Sequence, residues 1–115
     1  MNKAEFVEVI RLVVQEGSVD DTRSVLSHPP GRESVPELVA LSEWFKRLPA
    51  EDRRNVLRVA QLTSGYAVFG FLCVLDGVGA IENGPNKGTL ELRYRGGDLD
   101  VHLNEDKGSA LHELL

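Results

Sequence analysis

The chain is poor in the residues from which most reactive sites are built. It holds one cysteine, Cys73, and three histidines, His28, His102 and His112, in 115 residues. A single cysteine excludes an internal disulfide and suits a reducing compartment. There is no HExxH run, and the cysteine and histidines lack the spacing of a common metal cage, so neither a metal nor a cofactor is expected. No GxSxG elbow occurs. Gly79 and Gly84 have the glycine spacing of a phosphate loop, but Pro85-Asn86 stand where a lysine and a hydroxyl residue are needed. Aromatic residues make up only 6% of the chain. None interleaves the basic cluster Lys46, Arg47, Arg53, Arg54 and Arg58, as single-strand binding would require. That cluster reads as a solvated helix face balanced by Glu43, Glu51 and Asp52, and no nucleic-acid partner is expected.

Long apolar runs are missing too. The longest covers residues 66–75 and is closed by Asp76-Gly77, against the ~20 residues of a membrane span. Glu5, Glu8 and Arg11 interrupt any apolar signal segment near the N-terminus. These features point to a cytoplasmic protein without a membrane partner. Within the run, Cys73 is expected to behave as a small hydrophobe and Asp76 to cap the turn that follows. A catalytic reading would need Asp76, His102 and Cys73 to converge in one pocket.

What is present is acid, unevenly placed. Net charge is −5, and residues 76–115 carry eight acids and four bases, so most of the surplus lies there. Such a balance favours a basic partner. The length suits a single domain over residues 1–115, with a core that needs no staples.

The most legible element is a β-hairpin over residues 89–104. Leu90, Leu92 and Tyr94 alternate with polar residues, and so do Leu99, Val101 and Leu103. A Gly96-Gly97 loop would pair Arg95 with Asp98, Arg93 with Asp100 and Glu91 with His102 on one face. On the other face it would pair Tyr94 with Leu99, Leu92 with Val101 and Leu90 with Leu103. Residues 80–82 read as a further short strand.

The N-terminal part reads as helical. Phe6, Val9, Ile10 and Val13 mark a first helix stopped by Gly17, and Ser18 caps a second. Ser34 and Glu37 form a capping box with Pro36 for a third, which turns Leu38, Leu41, Phe45 and Leu48 inward. Trp44 and Phe45 are adjacent, so they cannot both point inward. Pro49 opens a fourth helix with Glu51 and Asp52 in its first turn. Val56, Leu57, Ala60 and Leu62 give it an apolar side, and residues 66–75 are apolar all round. A helix apolar on every side is expected to be buried on every side, although a buried strand is an open alternative for that run. Glu105-Asp106 would cap a last short helix carrying Leu111, Leu114 and Leu115. The expected fold is α+β: a mainly helical N-terminal part, a buried central helix and a small C-terminal antiparallel sheet.

The stretch from Phe69 to Val78, then Ala80-Ile81-Glu82, the hairpin and Leu111 to Leu115 resembles a small bacterial family. Its members are similar to immunity proteins of polymorphic-toxin and contact-dependent inhibition systems. The resemblance covers the last half of the chain and implies a cytoplasmic inhibitor that binds one cognate toxin domain. The N-terminal helices have no counterpart in it. The function expected is therefore that of a non-catalytic protein-binding module with a basic partner. Its candidate contacts are Glu91, Asp98, Asp100, Glu105 and Asp106. The alternative is an oligomeric regulatory or adaptor protein, a homodimer for instance, that uses residues 66–75 as its interface.

Overall fold

The computed structural model describes residues 1–29 and 35–115. The fold is α+β: helices lead, and one two-stranded antiparallel sheet follows. By its contacts the chain divides into two compact units, one of Met1–Val14 with Tyr66–Leu115, the other of Gln15–Gly65.

The N-terminal helical run opens at Asn2, whose side chain accepts from the Glu5 amide at 2.9 Å. It comprises α1 (Lys3–Val9), a π-helical segment (Ile10–Glu16) and α2 (Gly17–Ser27). Gly17 therefore does not stop the helix, contrary to the sequence expectation. Glu16 before it is itself helical, with φ −70° and ψ −38°. Gly17 is not among the glycines with positive φ, the conformation that makes glycine a terminator. Nor does Ser18 cap a new helix. Its hydroxyl donates back to the Gln15 carbonyl at 3.0 Å. The inward residues of α1 also differ: Val7 is buried with Phe6 and Ile10 against it, while Val9 and Val13 are exposed.

In the unit Gln15–Gly65, α2 packs on α3 (Pro36–Arg47). Val19, Leu26 and Phe45 are buried there, and so is one polar residue, Ser42, whose hydroxyl donates to the Leu26 carbonyl at 2.7 Å. Ser42 takes the inward place expected of Leu41, which is exposed. Trp44 is exposed and Phe45 buried. The Leu38 and Val39 amides bond to the Val35 carbonyl at the start of α3; Ser34, the proposed cap, lies outside the described residues. Leu48 is extended, with ψ 147°, as a residue before proline must be. The Pro49 carbonyl then accepts from the Arg53 amide as α4 (Ala50–Leu75) begins.

In the other unit, Val68 and Leu72 of α4 form a core cluster with Val7 and Leu111, flanked by Leu75, Leu92 and Leu115. Residues 66–75 are thus helix and not strand. The expectation that this segment is buried on every side fails: Tyr66, Phe69 and Phe71 are exposed. Its end is well determined. Gly77 has φ 79°, its amide bonds to the Val74 carbonyl, and the Val78 amide bonds to the Cys73 carbonyl. This is a Schellman motif, which needs the left-handed residue that glycine supplies. Residues 80–82 form no strand.

The hairpin pairs β1 (Arg93–Gly96) with β2 (Leu99–His102). The register is Arg93 with His102, Tyr94 with Val101, Arg95 with Asp100 and Gly96 with Leu99. It is displaced by two residues from the one the Gly-Gly loop suggested. The loop is Gly97-Asp98, with positive φ at Gly97 alone (57°). Only the first central position of a type II′ turn requires that. Because the shift is even, every side chain stays on its expected face. The chain ends in a 3-10 turn (Leu111–Leu114) whose start is fixed by the Glu113 carboxylate accepting from the Ala110 amide at 3.2 Å. Leu111 is fully buried, Leu115 packs on the core and Leu114 is exposed.

Candidate functional site

The candidate contact residues divide into two groups. Glu91 and Asp100 are engaged. The Arg93 guanidinium bonds to both, reaching Asp100 at 3.1 Å. These bonds hold the Arg93 pKa above its ordinary value. Arg95 also reaches Asp100 at 3.6 Å, and His102 reaches Glu91 at 3.5 Å. Two of the expected charge pairs therefore form as diagonal contacts although the register moved, since same-face neighbours two residues apart remain within reach of long side chains. Asp98 does not pair with Arg95; it sits in the turn. The carboxylates of Asp98, Glu105 and Asp106 make no ion pair among the described residues and stand exposed at the rim of the hairpin.

The base of the hairpin is tied to α4 by Asn104. Its Nδ2 donates to the carbonyls of Leu75 at 2.6 Å and Leu90 at 2.8 Å, and its Oδ1 accepts from the Leu92 amide at 2.7 Å. One of those carbonyls is an orphan of the helix end. Beyond Asn104, the Lys3 ammonium donates to three carbonyls, those of Glu105, Lys107 and Ser109, at 2.6, 2.8 and 3.0 Å. Neither anchor was signalled by the sequence, because each depends on backbone groups brought together only by the fold.

Asp76, expected to cap the turn that follows it, bonds instead to a distant residue. Its Oδ2 accepts from the backbone amide of His112 at 2.9 Å and from His112 Nδ1 at 2.8 Å. The Phe69 ring meets the imidazole edge-on, with centroids 5.7 Å apart. This arrangement puts the proton on Nδ1 and orients the ring. Asp76 and His102 both line one cleft, but Cys73 does not, and each acidic or basic partner is already engaged elsewhere. Asp76, His102 and Cys73 therefore do not converge. Among the described residues no His, Cys, Asp and Glu cluster could hold a metal ion.

That cleft, about 810 Å³, lies between the end of α4 and the base of the hairpin. Val74, Val78, Ile81 and Leu90 supply apolar walls, and Asp76, Glu82, Glu91 and Asp106 supply four carboxylates against one lysine, Lys87, and His102. Glu82 is oriented by the Gly88 amide at 2.8 Å. In the other unit a smaller pocket of about 360 Å³ is lined by Gln15, Val19, Asp20, Arg23 and Gln61. Gln15 Oε1 there is buried without a hydrogen-bond partner among the described residues.

The largest unsatisfied feature is apolar. On α4, exposure reaches 63% at Val59, 58% at Leu62, 69% at Tyr66, 44% at Phe69 and 63% at Phe71. Among the described residues, α4 is the one helix long and apolar enough, by length and composition, to cross a membrane. The chain matches no protein family, no curated protein and no solved structure.

Proposed function

We propose that the protein is a non-catalytic, cytoplasmic protein-binding module of the immunity type, whose C-terminal unit receives a basic protein domain such as that of a toxin. The cleft supports this reading: of its four carboxylates Asp76 is engaged by His112 and Glu91 by Arg93, while Glu82 and Asp106 stand over apolar walls with one lysine, Lys87, on the same lining. Lysine and arginine side chains match such a surface, because their stems are apolar and their heads cationic. Asp98 and Glu105 extend the acidic field beyond the cleft, where unpaired charge accelerates encounter with a basic surface. The test is binding to a basic toxin domain of the same host, together with protection of cells that express that domain. Replacing Asp98, Glu105 and Asp106 by amides is expected to slow association about tenfold or more at low salt. No binding and no protection would refute the reading.

A second reading, an oligomeric adaptor, is favoured by a different observation. Tyr66, Phe69 and Phe71 are three of the seven aromatic residues in the chain, and all three are exposed on one segment of one helix. Large exposed apolar patches mark interaction surfaces.

A further inference from the structure

We propose that β1 pairs edge to edge with β1 of a second copy of this chain, antiparallel, so that two hairpins join into one continuous sheet. The contact lies wholly within the unit of Met1–Val14 and Tyr66–Leu115 and goes beyond both readings above.

The ladder decides which backbone groups are left over. Gly96 pairs with Leu99 across the turn, and the Leu92 carbonyl accepts from the Leu103 amide at 2.8 Å. Antiparallel pairing alternates, so Leu92, Tyr94 and Gly96 turn their backbone groups toward β2. The amides and carbonyls of Glu91, Arg93 and Arg95 point the other way. The sheet has two strands, and among the described residues no hydrogen bond reaches these outward groups. All three residues are exposed.

Charge on an edge ordinarily keeps other strands away. Opposed to its own copy, this edge is complementary. With Leu92 facing Leu92 of the second copy, Glu91 stands opposite Arg93, Arg93 opposite Glu91 and Thr89 opposite Arg95. On the other face Leu90, 44% exposed, meets Tyr94. Arg93 already holds Glu91 of its own chain, so two such ion pairs come side by side with alternating sign. Sliding the register by two residues sets Glu91 against Glu91 or Arg93 against Arg93. Sliding it by one sets outward backbone groups against inward ones. Direction follows from the same edge. A parallel pair through it would turn one hairpin over and lay its charged face beside the apolar face of the other. Charge complementarity therefore names the occupant, a second copy related by a two-fold axis. β1 is short, so the pair belongs among weak, reversible interfaces.

Sedimentation of the full chain over a concentration series is expected to show reversible movement from one chain to two. Glu91→Arg or Arg93→Glu sets like charges opposite each other twice over. Each should weaken self-association about tenfold or more while leaving the circular dichroism spectrum unchanged. A mixture of the two variants restores opposite charge at both pairs and should associate again. Misfolding of either variant would give no such rescue. Register is read by oxidising Leu92→Cys, because facing residues that exchange no hydrogen bonds lie ~4.5 Å apart at Cα, within disulfide reach. Rescue in the mixture and a 92–92 link support the proposal. A dimer without that link overturns the register. A dimer that neither charge substitution weakens, or weakened variants without rescue, overturns the edge. A parent chain that stays monomeric at every concentration overturns the pair altogether.

Discussion

The hairpin and the last ten residues of α4 both expose a full face of side chains, and they resolve that exposure in opposite ways. The hairpin face is charged and largely supplies its own counter-ions. Arg93 alone engages Glu91 and Asp100, and His102 returns to Glu91. The exposed sides of α4 are apolar, with Tyr66 and Phe69 on one flank and Phe71 on the other, and Tyr66 and Phe71 remain in solvent. Charge finds partners over short distances on a β-surface because side chains two residues apart lie within reach. An apolar side chain on an outward helix face has only apolar neighbours of the same face, and they leave it as wet as before. An outer face of the first kind is closed by its own residues; one of the second kind stays open to solvent among the described residues.

The comparison breaks most visibly at the inner side of the same helix. Leu72→Ala removes a fully buried side chain from the cluster with Val7, Val68 and Leu111, and is expected to cost about 2–5 kcal/mol in urea unfolding. Phe71→Ala, one residue away but exposed, should change monomer stability by no more than about 0.5 kcal/mol. Equal costs for the two would show that the outward face is not outward in solution. Asn104→Ala comes next. It strands the Leu75 carbonyl and the Leu92 amide, both held by one side chain, and is expected to cost about 1–3 kcal/mol. Loss of hydrogen-exchange protection at Leu92, with the α4 amides retained, would localise the effect to the base of the hairpin.

Arg93→Ala should cost far less, and molar salt should erase the difference, because the pairs it breaks are half exposed. A larger, salt-insensitive loss would mean that the hairpin needs its charges for shape and not merely for neutrality. The smallest effect concerns Glu8. The hydrogen bond from Arg11 holds its carboxyl below the ordinary 4.5. A lowered carboxyl stabilises the fold fully above the unfolded value and loses that contribution as pH falls through the folded one. The Glu8→Gln chain should therefore be slightly less stable than the parent above about pH 4.5 and converge with it as pH falls further, which flattens the acid side of the helix signal.

The fold class, the hairpin and the helical segments were legible in the sequence, although the first two expected helices are one continuous run. The register was not, and the reason is parity: displacement by two leaves Leu92, Tyr94, Val101 and Leu103 on the same side, so the apolar pattern is blind to it. Only the turn could have decided, and Gly96-Gly97 and Gly97-Asp98 both satisfy a primed turn. The inward face of α1 was misjudged because apolar residues occupy positions 6, 7, 9, 10, 12, 13 and 14, enough for two overlapping stripes. Gly17 was read as a stop from composition alone, whereas termination requires a left-handed residue that the local backbone does not adopt. Of the candidate site, the acidic residues were legible but their engagement was not. The burial of residues 66–75 was inferred from the premise that apolar residues find cover within their own chain, and this helix departs from that premise.

The three carbonyls around Lys3 impose an order in time. Lys3 and Glu105 are 102 residues apart, a stretch that takes about 5–20 s to synthesise at ~5–20 residues per second. Throughout that interval the first helix has emerged while the loop that receives its ammonium, and the Leu111 that covers Val7, do not yet exist. The unit Gln15–Gly65 is contiguous and can close as it appears. The unit built from both ends cannot, so Phe6, Val7 and Ile10 stay uncovered during translation, and it is in that window that the nascent chain most needs a chaperone.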